Sequence, residues 1–188
     1  GRAHEVTTYR IDGTYKDSRH PENVTFTASL PEELKRRDFT INAMAYNEEE
    51  GLIDLYGGMD DLQRRCIRCV GNPEERFSED ALRILRAVRF SAQLNFGIDP
   101  ETIAGIVKLA PNLAKISAER ICAELTKLIT SDHPEYLKVA YQAGITRIIL
   151  PEFDEMMRTP QNNPHHMYSV GEHTLVSMAE VKNDRILR

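Results

Sequence analysis

The stretch Lys35-Arg36-Arg37-Asp38-Phe39-Thr40-Ile41-Asn42-Ala43-Met44-Ala45 sets three cations, a carboxylate and an amide directly against an apolar run. Such a run packs on a core, so its charged end is held in place instead of moving freely in solvent. A second constellation follows some forty positions on, where Asp80, Arg83, Arg86 and Arg89 recur at every third residue. On a helix this row drifts by roughly 60° per step and climbs about 4.5 Å, so three arginines span about 9 Å, a length comparable to a nucleotide's phosphates. Leu82, Ile84, Leu85, Ala87, Val88 and Phe90 surround the row. The arginines therefore cannot all face open water, and half-buried guanidinium groups demand an anion or a fixed acceptor. On spacing alone a second reading stands beside this one: Glu79 and Asp80 complement a helix N-terminus while the arginines pair internally.

The elements that position these residues are readable in outline. Residues 3 to 11 are β-branched and alternating, as in a strand, and Gly13 closes it. A polar loop with Pro21 follows. Ser29-Leu30-Pro31-Glu32 matches a capping box at the start of a helix that leads into the Arg-Arg-Asp segment. Gly51 to Asp54 and Cys66 to Val70 are expected as short strands around a Gly57-Gly58 turn and one helical turn. After Pro73 the pattern turns helical, with helices expected at 78–95, 99–110 (Asp99 as cap, Pro100 first), 117–130 and 132–143, the last ending at Gly144. Gly71-Asn72-Pro73 thus divides an α/β part from an α part, and Thr159 to Pro164 reads as a linker.

Both constellations, in this order, resemble the template-independent nucleotidyltransferases that extend RNA 3′ ends, the tRNA CCA-adding enzymes and bacterial poly(A) polymerases. The resemblance covers about Glu5 to Leu150. It implies an α+β fold, in which the C-terminal part of a polymerase-beta-like nucleotidyltransferase head (1–72) precedes a helical neck (73–130), a helical body (131–160) and the start of an HD-type domain (161–188). It implies that Asp80 and Arg83 read the edge of the incoming base, with Arg86 and Arg89 behind them. An acceptor-only carboxylate beside a bidentate donor presents a hydrogen-bonding edge much as another base would. Arg37 and Asp38 would serve the sugar and phosphates, with Asn42 orienting Asp38.

The same resemblance implies two Mg²⁺ ions held by carboxylates. The family's Asp-x-Asp is not in this sequence; Asp60 and Asp61 after Gly57-Gly58 are adjacent acids on a turn that starts a helix. Glu5, in Glu5-Val6-Thr7-Thr8-Tyr9-Arg10, resembles the strand carrying the family's third carboxylate, and Lys16 to Pro21 resembles its flexible head loop. Ser117-Ala118-Glu119-Arg120-Ile121 with Glu124-Leu125 matches a further motif, whose expected role is to brace the nucleotide-reading helix. His165 to Leu175 resembles the first helix of an HD-type phosphohydrolase, His173 standing where a metal ligand would; no His-Asp pair follows, so an incomplete or structural helix is expected.

Composition narrows the choice. The net charge of −5 argues against an indiscriminate polyanion binder and leaves RNA contact to local patches. Trp is absent, which disfavours a non-catalytic stacking RNA-binding module. Cys66-x-x-Cys69 has no second ligand pair at zinc spacing, so both thiols are expected to be buried and reduced. No apolar run reaches membrane-span length and no signal sequence is evident, giving a cytoplasmic expectation. The reading is a fragment of a CCA-adding enzyme that uses CTP, ATP and Mg²⁺ on the tRNA 3′ end, inactive or nearly so by itself. The alternatives are a bacterial poly(A) polymerase and an HD-type phosphohydrolase with an RNA-binding head.

Overall fold

A computed structural model describes residues 8–12, 24–161, 168–184 and 186. Glu5, the loop from Lys16 to Pro21, and His165 and His166 lie outside the described residues. Strands β1 (Arg10–Asp12) and β2 (Val24–Phe26) pair antiparallel, and α1 (Leu30–Lys35) follows. The capping box expected there does not form. Ser29 has the extended backbone of a cap, yet its side chain makes no cap bond, and its N–H goes to Thr27 Oγ1 at 3.0 Å.

After α1 the chain does not continue as helix. A 3₁₀ turn, Thr40–Asn42, leads into β3 (Met44–Asn47), which pairs antiparallel with β4 (Gly51–Asp54). Apolar periodicity does not announce this hairpin, whose signal lies in the turn Asn47-Glu-Glu-Glu-Gly51. Asn47 Oδ1 accepts from the amides of Glu49 and Glu50 at 3.0 and 2.6 Å, and Gly51 takes φ +74°. Helix α2 (Gly58–Gln63) then starts on the Asp54 carboxylate, which accepts from the Gly58 and Met59 amides at 2.8 and 2.9 Å. Asp61, on α2, is buried as a brace: it accepts from Thr40 Oγ1 at 2.6 Å and pairs with Arg68 at 2.8 Å, so it anchors the 3₁₀ turn.

Close approach at the start of α2 needs a glycine. A Cβ at Gly58 would sit 2.4 Å from the Thr40 carbonyl and 3.0 Å from the Met44 side chain. Gly58→Ala is therefore expected to destabilise the chain by about 1–3 kcal/mol, the usual cost of overpacking, read as a lower urea midpoint with an unchanged slope.

Strand β5 (Cys66–Ile67) pairs in parallel with β6 (Gly97–Ile98). Beyond β5 the chain runs alongside residues 38–40: Thr40 N–H donates to the Arg68 carbonyl at 2.9 Å and Val70 N–H to that of Asp38 at 3.1 Å. Phe39 is completely buried between them, edge-on to Phe90 with ring centroids 5.8 Å apart. Cys69 is buried and its thiol is pushed up to about 12, by desolvation first of all; Cys66 is half-buried and raised in the same way.

The helical part differs from expectation at one decisive place. Instead of one helix from 78, α3 (Pro73–Glu79) ends in an extended Asp80 (φ −144°, ψ 104°), and α4 (Leu82–Leu94) restarts after it. Asn72, whose side chain accepts from the Glu74 amide at 2.8 Å, and Pro73 begin the earlier helix. Helices α5 (Pro100–Leu109), capped by Asp99 as expected, and α6 (Ala118–Ile129) pack on α3 and α4 respectively. A 3₁₀ turn (Pro134–Tyr136) and α7 (Leu137–Gln142) replace the single helix expected at 132–143, and the chain turns at Gly144 with φ +73°. Helices α8 (Thr146–Ile149), α9 (Pro151–Arg158) and α10 (Val170–Glu180) complete the order, α10 opening on a formed capping box of Ser169 and Glu172. The larger of two cores among the described residues, built from Phe39, Ile67, Phe77, Ile84, Leu85, Val88, Ile106, Leu113, Leu128 and Ile145, joins the helices around α4, and a smaller one gathers Leu34, Ala43 and Val70. No helix among the described residues is long and apolar enough to cross a membrane.

Candidate nucleotide-binding cleft

The end of α1, the turn after it, the Asp80 break, one edge of α4 and the start of α6 enclose a cleft of about 470 Å³. Arg36, Arg37, Asp38, Asn42, Asp80, Leu82, Arg83, Arg86 and Arg120 line it. Five arginines against two aspartates make the cleft locally cationic in a chain whose net charge is −5. Its size is that of a small-ligand site.

Asp38 is the best-fixed group. It is 8% exposed; Oδ1 accepts from its neighbouring Phe39 amide at 2.9 Å and from Asn42 Nδ2 at 3.2 Å. Its Oδ2 takes Nε and Nη2 of Arg86 at 2.8 and 2.6 Å. The two constellations of the sequence are thus joined by a direct ion pair. Asn42 orients Asp38 as expected, though across a 3₁₀ turn rather than an α-helix.

Arg36 and Arg37 both reach Glu33, a fully buried carboxylate on α1 that also accepts from the Arg10 amide of β1 at 3.2 Å. Burial works to raise the Glu33 pKa, but the hydrogen bonds and charges of Arg36, Arg10 and Arg37 outweigh it and hold the carboxyl below its ordinary value of 4.5. A carboxyl lowered on folding stabilises the native state above its unfolded pKa, and that contribution is lost as the pH falls through the folded value. Glu33→Gln is therefore expected to lower stability at neutral pH. It should also flatten the further loss of stability expected of the parent chain as the pH falls below about 4.5, read in urea titrations.

Asp80 and Arg83 both line the cleft, but each is held by a different partner. Asp80 Oδ1 accepts from the Leu82 amide at 3.1 Å and Oδ2 from Arg120 Nη2 at 2.7 Å. Arg83 donates from Nη1 to Glu79 at 2.5 Å and to the Arg76 carbonyl at 3.2 Å, and from Nη2 to the Arg36 carbonyl at 3.1 Å. Three of its five donors are used.

Arg89 lies elsewhere. Two further steps of the three-residue row turn it about 120° away from Arg83. It is 6% exposed, with Nε on Glu124 at 2.5 Å, Nη1 on Gln93 at 2.6 Å and its guanidinium carbon 3.7 Å from the Phe90 ring centroid. It supports α4 from behind the cleft. Arg120 joins the site from the motif at 117–125, for which a bracing role is expected and no place in the cleft. Glu124, one turn on, pairs with Arg89 and Lys127, and Arg120 pairs with Asp80. Among the described residues no group of three or more His, Cys, Asp or Glu is placed to hold a metal ion.

Two family models match the chain: "Poly A polymerase head domain" over residues 1–68 and "Probable RNA and SrmB- binding site of polymerase A" over residues 95–157. The CCA-adding enzyme of Levilactobacillus brevis is 55% identical over 135 residues, which are 72% of this chain and 34% of that protein. The chain belongs to the poly(A) polymerase and CCA-adding enzyme family. Among solved structures, the Bacillus stearothermophilus CCA-adding enzyme in complex with CTP superposes with a TM-score of 0.75 at 42% identity, covering 84% of this chain and 38% of that one. A tRNA nucleotidyltransferase complexed with a primer tRNA and an incoming ATP analog gives 0.61 at 32% identity, covering 70% and 42%. The α+β fold is that of the family's nucleotidyltransferase head and the helices that follow it. The chain spans about a third of the length of the curated relatives it matches.

Proposed function

We propose that this chain is the nucleotide-selecting portion of a tRNA nucleotidyltransferase that adds CCA to tRNA 3′ ends from CTP and ATP. One observation carries the reading: the fold brings residues 36–42, residues 80–86 and Arg120 to a single cationic cleft. Arg37 and Arg86 suit the triphosphate and ribose, since guanidinium groups match phosphate oxygens, and Asp38, whose four lone-pair sites are taken by Phe39, Asn42 and Arg86, would accept from a ribose hydroxyl by exchanging one of these bonds. Asp80 and Arg83 suit the base. Cytosine and adenine share an edge with an exocyclic amine beside a ring-nitrogen acceptor, which complements a carboxylate beside a guanidinium. Uracil and guanine present the reverse pattern, a carbonyl beside a ring N–H, and meet an acceptor where they need a donor. Arg89 contributes by holding α4 against α6.

Nucleotidyltransferases of this family generally use a divalent metal. The described residues gather no ligand cluster for it, and Glu5, the carboxylate assigned to that chemistry, lies outside them. A cytoplasmic location belongs to the same proposal.

Calorimetric titration of the 188-residue chain tests selection directly. CTP and ATP are expected to bind at least about tenfold more tightly than UTP and GTP, a difference of about 1.4 kcal/mol. Equal affinities for all four would overturn the proposal. A second reading, poly(A) synthesis, is favoured by the description of the matching head model. The whole protein, offered tRNAs ending before, within and after CCA with each nucleotide in turn, separates the two, since untemplated runs of A on arbitrary RNA belong to the polymerase.

A further inference from the structure

Glu33 is not part of the lining of the cleft, yet two of the lining arginines end on it. Its side chain is 2% exposed. Oε1 accepts from Nη2 of Arg36 and Nη2 of Arg37 at 2.5 and 2.7 Å, and Oε2 from Nε of Arg36 at 2.6 Å and from the Arg10 amide of β1 at 3.2 Å. These bonds fill the lone-pair sites of both oxygens, so Glu33 has nothing left to offer a ligand. Burial opposes its ionisation, and Arg36, Arg10 and Arg37 outweigh that opposition.

The two arginines use this anchor differently. Arg36 grips it with both Nε and Nη2. Arg37 gives it Nη2 alone; its side chain is 43% exposed, and its other guanidinium donors have no acceptor among the described residues. The charges point the same way. Among the described residues Asp38 and Asp80 each pair with one guanidinium, whereas Glu33 pairs with two, so one positive charge beside the cleft stays uncompensated. A guanidinium fixed at one corner and open at the others is preorganised for phosphate oxygens, because a long side chain is then ordered on folding and not on binding.

We infer that Glu33 is a positioning residue for the phosphate end of the nucleotide: it holds Arg37 by one nitrogen from inside the core and so directs the rest of that guanidinium at the triphosphate, without touching the ligand itself. This rests on the proposed function of the cleft. The bond from the Arg10 amide, 23 positions away, registers the same carboxylate to β1, so the direction of Arg37 is set by strand and helix together. Without the carboxylate, Arg36 and Arg37 repel each other across a short distance and Arg37 turns out into solvent.

The test is calorimetric titration of the 188-residue chain with CTP and UTP, below the melting transition, for the parent chain and for Glu33→Gln, Glu33→Asp, Arg37→Ala and the double variant Glu33→Gln/Arg37→Ala. Glu33→Gln is expected to weaken CTP and UTP alike by about tenfold, leaving the preference between them in place, because the phosphates are common to both. Glu33→Asp, which keeps the charge but is one methylene shorter, should lose about threefold. The double variant should bind CTP no more weakly than Arg37→Ala alone, because both changes act on one guanidinium. A merely structural role lowers the melting temperature and leaves the affinity of the folded chain where it was. If the parent chain prefers CTP and a folded Glu33→Gln binds it as tightly, or if the two losses add in the double variant, the inference is overturned while the proposed function stands. If Glu33→Gln does not fold, Glu33→Asp decides in its place, and a CTP affinity equal to the parent's overturns the inference. A parent chain with no preference defeats the proposed function itself, and the inference with it.

Discussion

Glu124→Ala is expected to destabilise the chain by about 3–5 kcal/mol, the cost of stranding a buried cation. Arg89 and Glu124 are 6% and 4% exposed, and they pair across the interface of α4 and α6. Burial alone would raise the Glu124 pKa; the hydrogen bond from Lys127 and the charge and hydrogen bond of Arg89 more than reverse this and hold it below the ordinary carboxylate value. Truncating the acid leaves the Arg89 guanidinium with Gln93 and the Phe90 face and no counter-charge. In a domain of this size the melting temperature should fall by about 6–20 °C. Replacing both partners, as in Arg89→Met/Glu124→Leu, should restore most of the loss, because the desolvation of both charges is then removed together. A thermal melt of the three chains checks this. A single variant that melts within about 2 °C of the parent would mean that the pair contributes little.

Asp38→Ala should have the largest effect on ligand binding. Asp38 receives two hydrogen bonds from Arg86 and one from Asn42, so its removal frees both cleft side chains and deletes the acceptor proposed for the ribose. CTP and ATP are each expected to bind about 100-fold more weakly, or about 2.7 kcal/mol. The loss should be equal for the two nucleotides, because the sugar and phosphates do not differ between them. Asp38→Asn, which keeps the shape but loses the charge, should fall between. Titration with both nucleotides measures it, and a loss confined to one of them would place Asp38 on the base instead.

Much of this cleft is legible in the residues. The run from Arg36 to Asn42 and the row from Asp80 to Arg86 announce themselves because cations inside apolar periodicity require partners. The caps of α5 and the end of α7 at Gly144 follow from local backbone chemistry. What stays hidden depends on distance. The break at Asp80 is local and has a signal, since Asn72-Pro73 starts a helix too early to continue through an unbroken one, but helical periodicity in apolar residues passes over a single extended residue. The β3–β4 hairpin is obscured because Phe39 to Ala45 also suits a helix; the pairing of residues 38–40 with 68–70 decides against it. The motif at 117–125 announces a brace, but not that Arg120 meets Asp80. That contact, like the pairing of Glu124 with Arg89, depends on how α4 and α6 approach each other.

The extended backbone at Asp80 carries a consequence for how such a site can change over generations. Asp80 lends one oxygen to the first turn of α4 through the Leu82 amide and its carbonyl to the Arg83 amide at 3.0 Å, so the residue proposed to face the base also helps to begin the helix. Residues that can begin a helix in this way are few, chiefly Asp, Asn, Ser and Thr. A new nucleotide preference must therefore be drawn from that short alphabet, or be reached by altering neighbours such as Arg83 and Arg120 while Asp80 stays. Selection for stability and selection for specificity act on the same side chain, and the first restricts the paths open to the second.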